Sequence, residues 1–109
     1  MIDWSRVREL QNEIGAEDFG EVVEIFLEEV ESEIADLHAG CDPAQLEYKF
    51  HSLRGSALNL GFRAFAEHCQ TGETAAAQSQ HSQIDVPATR TIYDLSKTEF
   101  LTRLNQQSR

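Results

Sequence analysis

A histidine, an arginine and a glycine follow one another at helical spacing in the middle of the chain, at His51, Arg54 and Gly55. Residues three and four positions apart lie on the same face of an α-helix, so the arginine and the glycine would both flank the imidazole. A neutral imidazole offers a nucleophilic nitrogen at the pH of the cell, and a guanidinium can hold the oxygens of an incoming phosphoryl group. The three residues are therefore candidates for covalent phosphoryl chemistry.

The apolar residues around His51 predict where its side chain points. They form a single stripe, made of Leu46, Phe50, Leu53, Ala57 and Leu60. On an α-helix the imidazole would point roughly 130° away from this stripe, toward solvent. Tyr48 and Leu58 share its face and could form an apolar rim for a docked partner. A side chain at Gly55 would occupy the approach to the imidazole, which accounts for a glycine that costs ~1 kcal/mol inside a helix.

Helical periodicity extends over most of the chain. Apolar residues at steps of three and four between Phe19 and Leu37 predict the clearest helix, with Gly15 and Gly40 at its limits. Asp42 and Pro43 are typical of a helix start, and Gly61 of a helix end. The last helix has apolar residues over a broad arc, which leaves its buried face ambiguous. The predicted helices span about 3–12, 17–38, 43–60, 62–78 and 87–106.

These elements predict an all-α fold, because no segment shows sustained β alternation. Short connections between helices favour antiparallel neighbours. We therefore expect an up-and-down antiparallel four-helix bundle with a short N-terminal capping helix. The 109 residues, of which 40% are hydrophobic, suffice for a single domain over residues 1–109 with its own core.

Composition excludes several classes of partner. A formal net charge of -10 would repel the phosphates of nucleic acids and of anionic lipids. The N-terminus lacks the apolar run of a secretion signal, and no stretch is apolar enough to span a membrane. We therefore expect a cytoplasmic protein that binds neither nucleic acid nor membrane. Cys41 and Cys69 show no metal or disulfide spacing and are interpreted as reduced, structural cysteines.

The string HSLRGSALNLG, residues 51–61, resembles the phosphorylation motif of histidine phosphotransfer (HPt) domains, His-x-Leu-Lys/Arg-Gly-Ser/Ala-x-x-x-Leu-Gly. Further similar positions on both sides extend the resemblance over nearly the whole chain. They are Ile2, Asp3, Gly15, Phe26, Leu27, the turn at Asp42, Phe65, Ala66 and Cys69.

The resemblance implies a role for each residue of the motif. His51 would be the phosphoacceptor, Arg54 would position the phosphoryl group where the family usually has lysine, and Gly55 would give access. Ser56 and Gly61 match structural positions. A polar residue about 22 positions after the histidine often hydrogen-bonds the imidazole, which here is Glu73. One inserted residue would move that role to Gln70 or Thr74.

The resemblance also implies partners and a mode of action. Such a protein is a carrier of a two-component phosphorelay rather than an enzyme. It exchanges its phosphoryl group with the aspartate of a response regulator receiver domain, and a hybrid sensor histidine kinase is a further candidate partner. It needs no cofactor of its own, because the receiver domain supplies the Mg²⁺. It is expected to be a monomer.

The sequence argues against two other functions and leaves a third open. Four histidines and two cysteines could supply zinc ligands, but only His68 and Cys69 are close in sequence, and adjacent residues diverge on a helix, so no metal site is expected. A histidine kinase core would need a Gly-rich nucleotide loop and an acidic residue directly after the histidine, where Ser52 stands. A helical-bundle adaptor that binds signalling partners without phosphorylation remains the alternative.

Overall fold

The computed structural model describes residues 1–40 and 42–107 of the chain. Helices account for most of this part, and no strand occurs in it. The helices are α1 (Trp4–Ile14), α2 (Ala16–Ala39), α3 (Pro43–Leu60), α4 (Arg63–Ala77) and α5 (Val86–Gln107), with a 3₁₀ turn at His81–Gln83. Cys41, one of the two cysteines interpreted as structural, lies outside the described residues.

Helices α2 to α5 form the bundle. Each packs against the next along the chain, and α2 also contacts α5, so the four helices close into a ring in chain order. The α3–α4 pair has the most extensive interface, whereas α1 packs across α2 and α3. The predicted all-α bundle with an N-terminal capping helix is confirmed.

The core is apolar and contains residues from all five helices. An aromatic cluster joins α5 to the start of α4, with ring centroids 5.2 Å apart for Phe62 and Phe100 and 5.5 Å apart for Phe65 and Tyr93. The face of α5 that the sequence left ambiguous is the one that buries Tyr93 and Phe100. It also buries two hydroxyl residues, Thr89 and Ser96. Leu95 lies on the other side of the helix and is exposed.

A polar cluster connects α2 to α5 at the edge of the core. The Tyr93 hydroxyl donates to Glu31 Oε2 at 2.7 Å, and Lys97 Nζ donates to the same oxygen at 2.6 Å. The hydrogen bond from Lys97, followed by that from Tyr93, lowers the pKa of the Glu31 carboxyl. Burial, reinforced by Glu31, raises the pKa of the Tyr93 hydroxyl well above its usual range. Tyr93 therefore acts as a neutral donor.

The ends of α3 are fixed by local capping. The Asp42 side chain accepts a hydrogen bond from the Ala44 amide at 3.2 Å. Gly61 ends the helix in the left-handed conformation, with φ 82°, and the Phe62 amide donates back to Ala57 O at 2.8 Å. A Cβ atom at Gly61 would also lie 2.7 Å from the backbone oxygen of Asp3, so glycine is required there for two reasons.

No helix in the described ranges combines the length and the apolar character needed to cross a membrane.

Candidate functional site

Helix α3 presents His51 to solvent. Its neighbours Phe50 and Leu53 are fully buried against the other helices, which fixes the rotation of α3. The His51 side chain consequently points outward and is 63% exposed. Ser52 strengthens this orientation, because its hydroxyl donates to Glu33 Oε1 on α2 at 2.8 Å.

Glu73 of α4 contacts the imidazole. Its Oε2 lies 3.1 Å and its Oε1 3.4 Å from His51 Nδ1. An ionised carboxylate can only accept a hydrogen bond, so the neutral imidazole that fits this contact carries its proton on Nδ1. The lone pair is then on Nε2, and the contact holds the imidazole in the tautomer whose free nitrogen is a nucleophile.

Arg54 lies on the Nδ1 side of the same imidazole. Its Nη2 is 3.3 Å from His51 Nδ1 and 3.6 Å from Glu73 Oε1. The guanidinium and a protonated Nδ1 are both donors and cannot bond to each other, so the partner of both is the Glu73 carboxylate. Glu73 thus joins the two residues of α3. The guanidinium keeps further N–H groups, and its side chain is 29% exposed.

The close approach of α3 and α4 that allows this contact depends on Gly72, which the sequence analysis did not single out. A Cβ atom at Gly72 would lie 2.8 Å from the ring of Phe50. Only a residue without a side chain lets the α4 backbone come so near that ring. The sequence did contain a sign of this close approach: Gly72 is a glycine inside a predicted helix, and it directly precedes Glu73.

The remaining candidate residues lie on the exposed face of α3. Tyr48 is 72% and Leu58 54% exposed, and a Cβ atom at Gly55 would meet no atom within 4 Å. The surface beside the imidazole is therefore open and partly apolar. Gln70 and Thr74, the alternatives to Glu73, are exposed on α4 and line a separate depression that does not include His51.

His68 is in a different environment from His51. It is partly buried, and its Nε2 lies 2.7 Å from the Thr89 hydroxyl. That hydroxyl donates to the Asp85 backbone oxygen, so its oxygen accepts a hydrogen bond from the Nε2–H group of His68. Burial lowers the pKa of His68, which favours the neutral imidazole, and its Nε2 is engaged in this bond rather than free to react.

The described part of the chain contains one cysteine, Cys69. Cys69 is buried without a disulfide, and burial raises the pKa of its thiol to about 12, so it carries no thiolate at the pH of the cell. Within residues 1–40 and 42–107, no group of three or more His, Cys, Asp or Glu side chains could hold a metal ion.

The chain was compared with protein families, curated proteins and solved structures. The family model described as "Hpt domain" matches residues 21–107, most of the chain, and its match begins after α1 and the first residues of α2. No curated protein and no solved structure matches the chain.

Proposed function

The chain belongs to the Hpt domain family, and from this premise we propose that it is a histidine-containing phosphotransfer protein of a two-component phosphorelay. It accepts a phosphoryl group on His51 and exchanges it with the aspartate of a receiver domain. The observation that carries this proposal is the exposed imidazole whose Nδ1 lies 3.1 Å from Glu73, because this contact leaves Nε2 free and nucleophilic.

The proposed step is an in-line exchange. The lone pair of His51 Nε2 attacks the phosphorus of the receiver's aspartyl phosphate, the bond from phosphorus to the aspartyl oxygen breaks, and the aspartate leaves as a carboxylate. The ring keeps its Nδ1 proton and gains positive charge, which the Glu73 carboxylate stabilises. The reverse step returns the group and restores the neutral imidazole.

In this proposal Arg54 positions the phosphoryl group. Its side chain contacts Glu73 in the unphosphorylated protein and would turn toward the phosphoryl oxygens once these arrive beside Nε2. A guanidinium binds phosphoryl oxygens through two parallel hydrogen bonds, whereas the lysine usual in the family acts as a point charge. Arginine in place of lysine therefore keeps the positive charge and changes the geometry of the contact with the phosphoryl group.

The partner supplies the rest of the chemistry. The receiver domain brings the aspartate and its bound Mg²⁺, so the chain acts as a carrier and not as an independent enzyme. The receiver would cover Tyr48, Gly55 and Leu58 around the imidazole, and the carrier would act as a monomer.

Incubation with a phosphorylated receiver domain tests the proposal. We expect phosphoryl label on the protein that is labile in acid and stable in base, as for a phosphohistidine, and that peptide mapping assigns to His51. A protein that binds the receiver domain without taking up label would be an adaptor, and the proposal would be wrong.

Gly55→Gln should block transfer while sparing the fold. The new side chain would extend into the open space beside the imidazole that the receiver has to occupy. Gly55→Ala is the matched control: its Cβ meets no atom within 4 Å, so transfer should persist, and the helix should gain about 1 kcal/mol. Transfer rates and urea unfolding of both variants measure the two effects. Wild-type transfer in Gly55→Gln would show that receivers do not dock on this face.

Glu73→Ala should slow phosphoryl uptake about tenfold. A hydrogen bond to a charged group contributes roughly 1.5 to 3 kcal/mol, and an exposed contact lies at the low end of that range. Without the carboxylate, the Nδ1 proton and the charge formed on the ring lose their partner. Glu73→Gln should retain part of the rate, because its amide oxygen can still accept from Nδ1. Equal rates for wild type and Glu73→Ala would remove Glu73 from the mechanism.

A further inference from the structure

A groove runs between α2 and α5. We name it the α2–α5 groove and define it by its lining residues, Phe19, Gly20, Val23, Glu24, Leu27, Glu28, Glu31, Lys97, Leu101 and Leu104. Its volume is about 440 Å³, and it continues at Phe19, Gly20 and Leu104 into a second open depression of about 700 Å³. The floor is largely apolar.

The length of the groove matches about three turns of a helix. Its α2 wall extends from Phe19 to Glu31, which at 1.5 Å per residue is about 18 Å, or three helical turns. Leu101 on the opposite wall is 37% exposed, although it points between two helices. The ion pair of Glu31 and Lys97 lies at one end.

Gly20 widens this groove. It lies inside α2, is exposed, and a Cβ atom there would meet nothing within 4 Å, so neither backbone conformation nor packing requires glycine. Glycine at such a position costs ~1 kcal/mol relative to alanine. The proposed phosphoryl transfer uses neither Gly20 nor the groove. A bound partner that approaches the α2 backbone closely would account for a glycine at position 20.

The charges around the groove indicate which partner would fit. Helix α2 carries nine acidic residues and no lysine or arginine. Glu24 and Glu28 lie on the rim, and neither has an ion-pair partner among the described residues. An apolar floor beneath unpaired carboxylates complements a surface with apolar residues flanked by cations. A second copy of this acidic chain would place carboxylate against carboxylate.

The groove is remote from the candidate phosphoacceptor. The bundle closes in the order α2, α3, α4, α5, so the α2–α5 side lies opposite the α3–α4 side. His51 and Glu73 lie on α3 and α4. A molecule in the groove would therefore leave the imidazole open to a receiver domain.

From these observations we propose that the α2–α5 groove binds an amphipathic helix of a partner protein. The helix presents an apolar stripe at i, i+3, i+4 and i+7 to the exposed Leu101 and to the groove floor, where Val23 and Leu27 are 4% and 6% exposed. Its lysine or arginine residues lie beside Glu24 and Glu28. Because the site leaves His51 accessible, a groove-binding partner that also carries a receiver domain would raise the effective concentration of that domain at the imidazole, a consequence that rests on the proposed function.

The first experiment uses a designed probe. A peptide of roughly 18 residues, with leucine on one helical face and lysine elsewhere, is titrated into the ¹⁵N-labelled chain. We expect saturable shifts of the amide signals of Val23, Leu27 and Leu101. A peptide of identical composition, with the leucines scattered around the helix, should bind at least tenfold more weakly. Equal binding of the two peptides would mean that charge alone attracts them, and the proposal would fail.

Matched variants locate the site. Leu101→Gln should weaken binding of the peptide with leucine on one face about tenfold. Leu95→Gln makes the same change at an exposed leucine on the other side of α5 and should not weaken it. Likewise Glu28→Lys should weaken binding more than Glu29→Lys, because Glu29 lies outside the groove. Equal losses within either pair, shifts centred on His51, or a dimer that Leu101→Gln abolishes would each overturn the proposal. Phosphoryl uptake is measured separately, so either proposal can fail alone.

Discussion

His51→Gln is expected to take up no detectable phosphoryl label from a phosphorylated receiver domain. The substitution replaces the one imidazole of helix α3 with an amide, whose nitrogen is not a nucleophile. The His51 side chain is 63% exposed and contributes nothing to the core, so the fold and the melting temperature should be unchanged. Binding to the receiver should also persist, because glutamine is a polar side chain of similar size.

Two other histidines serve as controls: His38, exposed on α2, and His81, in the 3₁₀ turn. His38→Gln and His81→Gln leave α3 intact and should take up label at the wild-type rate. The label on the wild type should be lost in acid and kept in base. Label that persisted on His51→Gln would contradict the assignment of the phosphoacceptor.

Gly72→Ala is expected to destabilise the protein by about 1 to 3 kcal/mol, the range for overpacking a close-packed core. The new Cβ would lie 2.8 Å from the fully buried Phe50 ring, so the ring or the α4 backbone would have to shift within the packed core. This outcome reverses the usual gain of ~1 kcal/mol for replacing glycine in a helix. If α4 moves away to relieve the overlap, the His51–Glu73 contact lengthens and uptake slows.

Urea unfolding measures the loss, and Gly55→Ala is its matched control because the same change there meets open space. Phe50→Leu should partly compensate, so the double variant Phe50→Leu/Gly72→Ala should lose less stability than the two single losses added together. Additive losses, or a Gly72→Ala protein as stable as the wild type, would show that the Phe50 contact does not limit the approach of the helices.

The sequence predicted the orientation of α3 because that helix has one narrow apolar stripe. Phe50, Leu53, Ala57 and Leu60 all prove to be buried, and the imidazole between them is exposed. The ends of α3 could also be predicted, because Asp42 and Gly61 cap the helix through local backbone geometry that a few residues determine. Local periodicity and capping are properties of one segment and need no knowledge of its neighbours.

Contacts between helices could not be predicted in the same way. The choice among Glu73, Gln70 and Thr74 depended on the register of α4 against α3, which periodicity within one helix does not contain. The space that makes Gly72 necessary appears only when both helices are in place. The buried face of α5 was obscured because Thr89 and Ser96 lie inside while Leu95 lies outside.

The two halves of the site belong to consecutive helices joined by the corner at Gly61, and His51 and Glu73 are only 22 residues apart. A contact at so short a separation closes a small loop, whose entropic cost is low, and local contacts of this kind favour rapid folding. The α3–α4 hairpin can therefore bring the imidazole and its carboxylate together before α5 completes the ring. Assembly of the His51–Glu73 pair then depends little on the parts of the chain that are most distant in sequence.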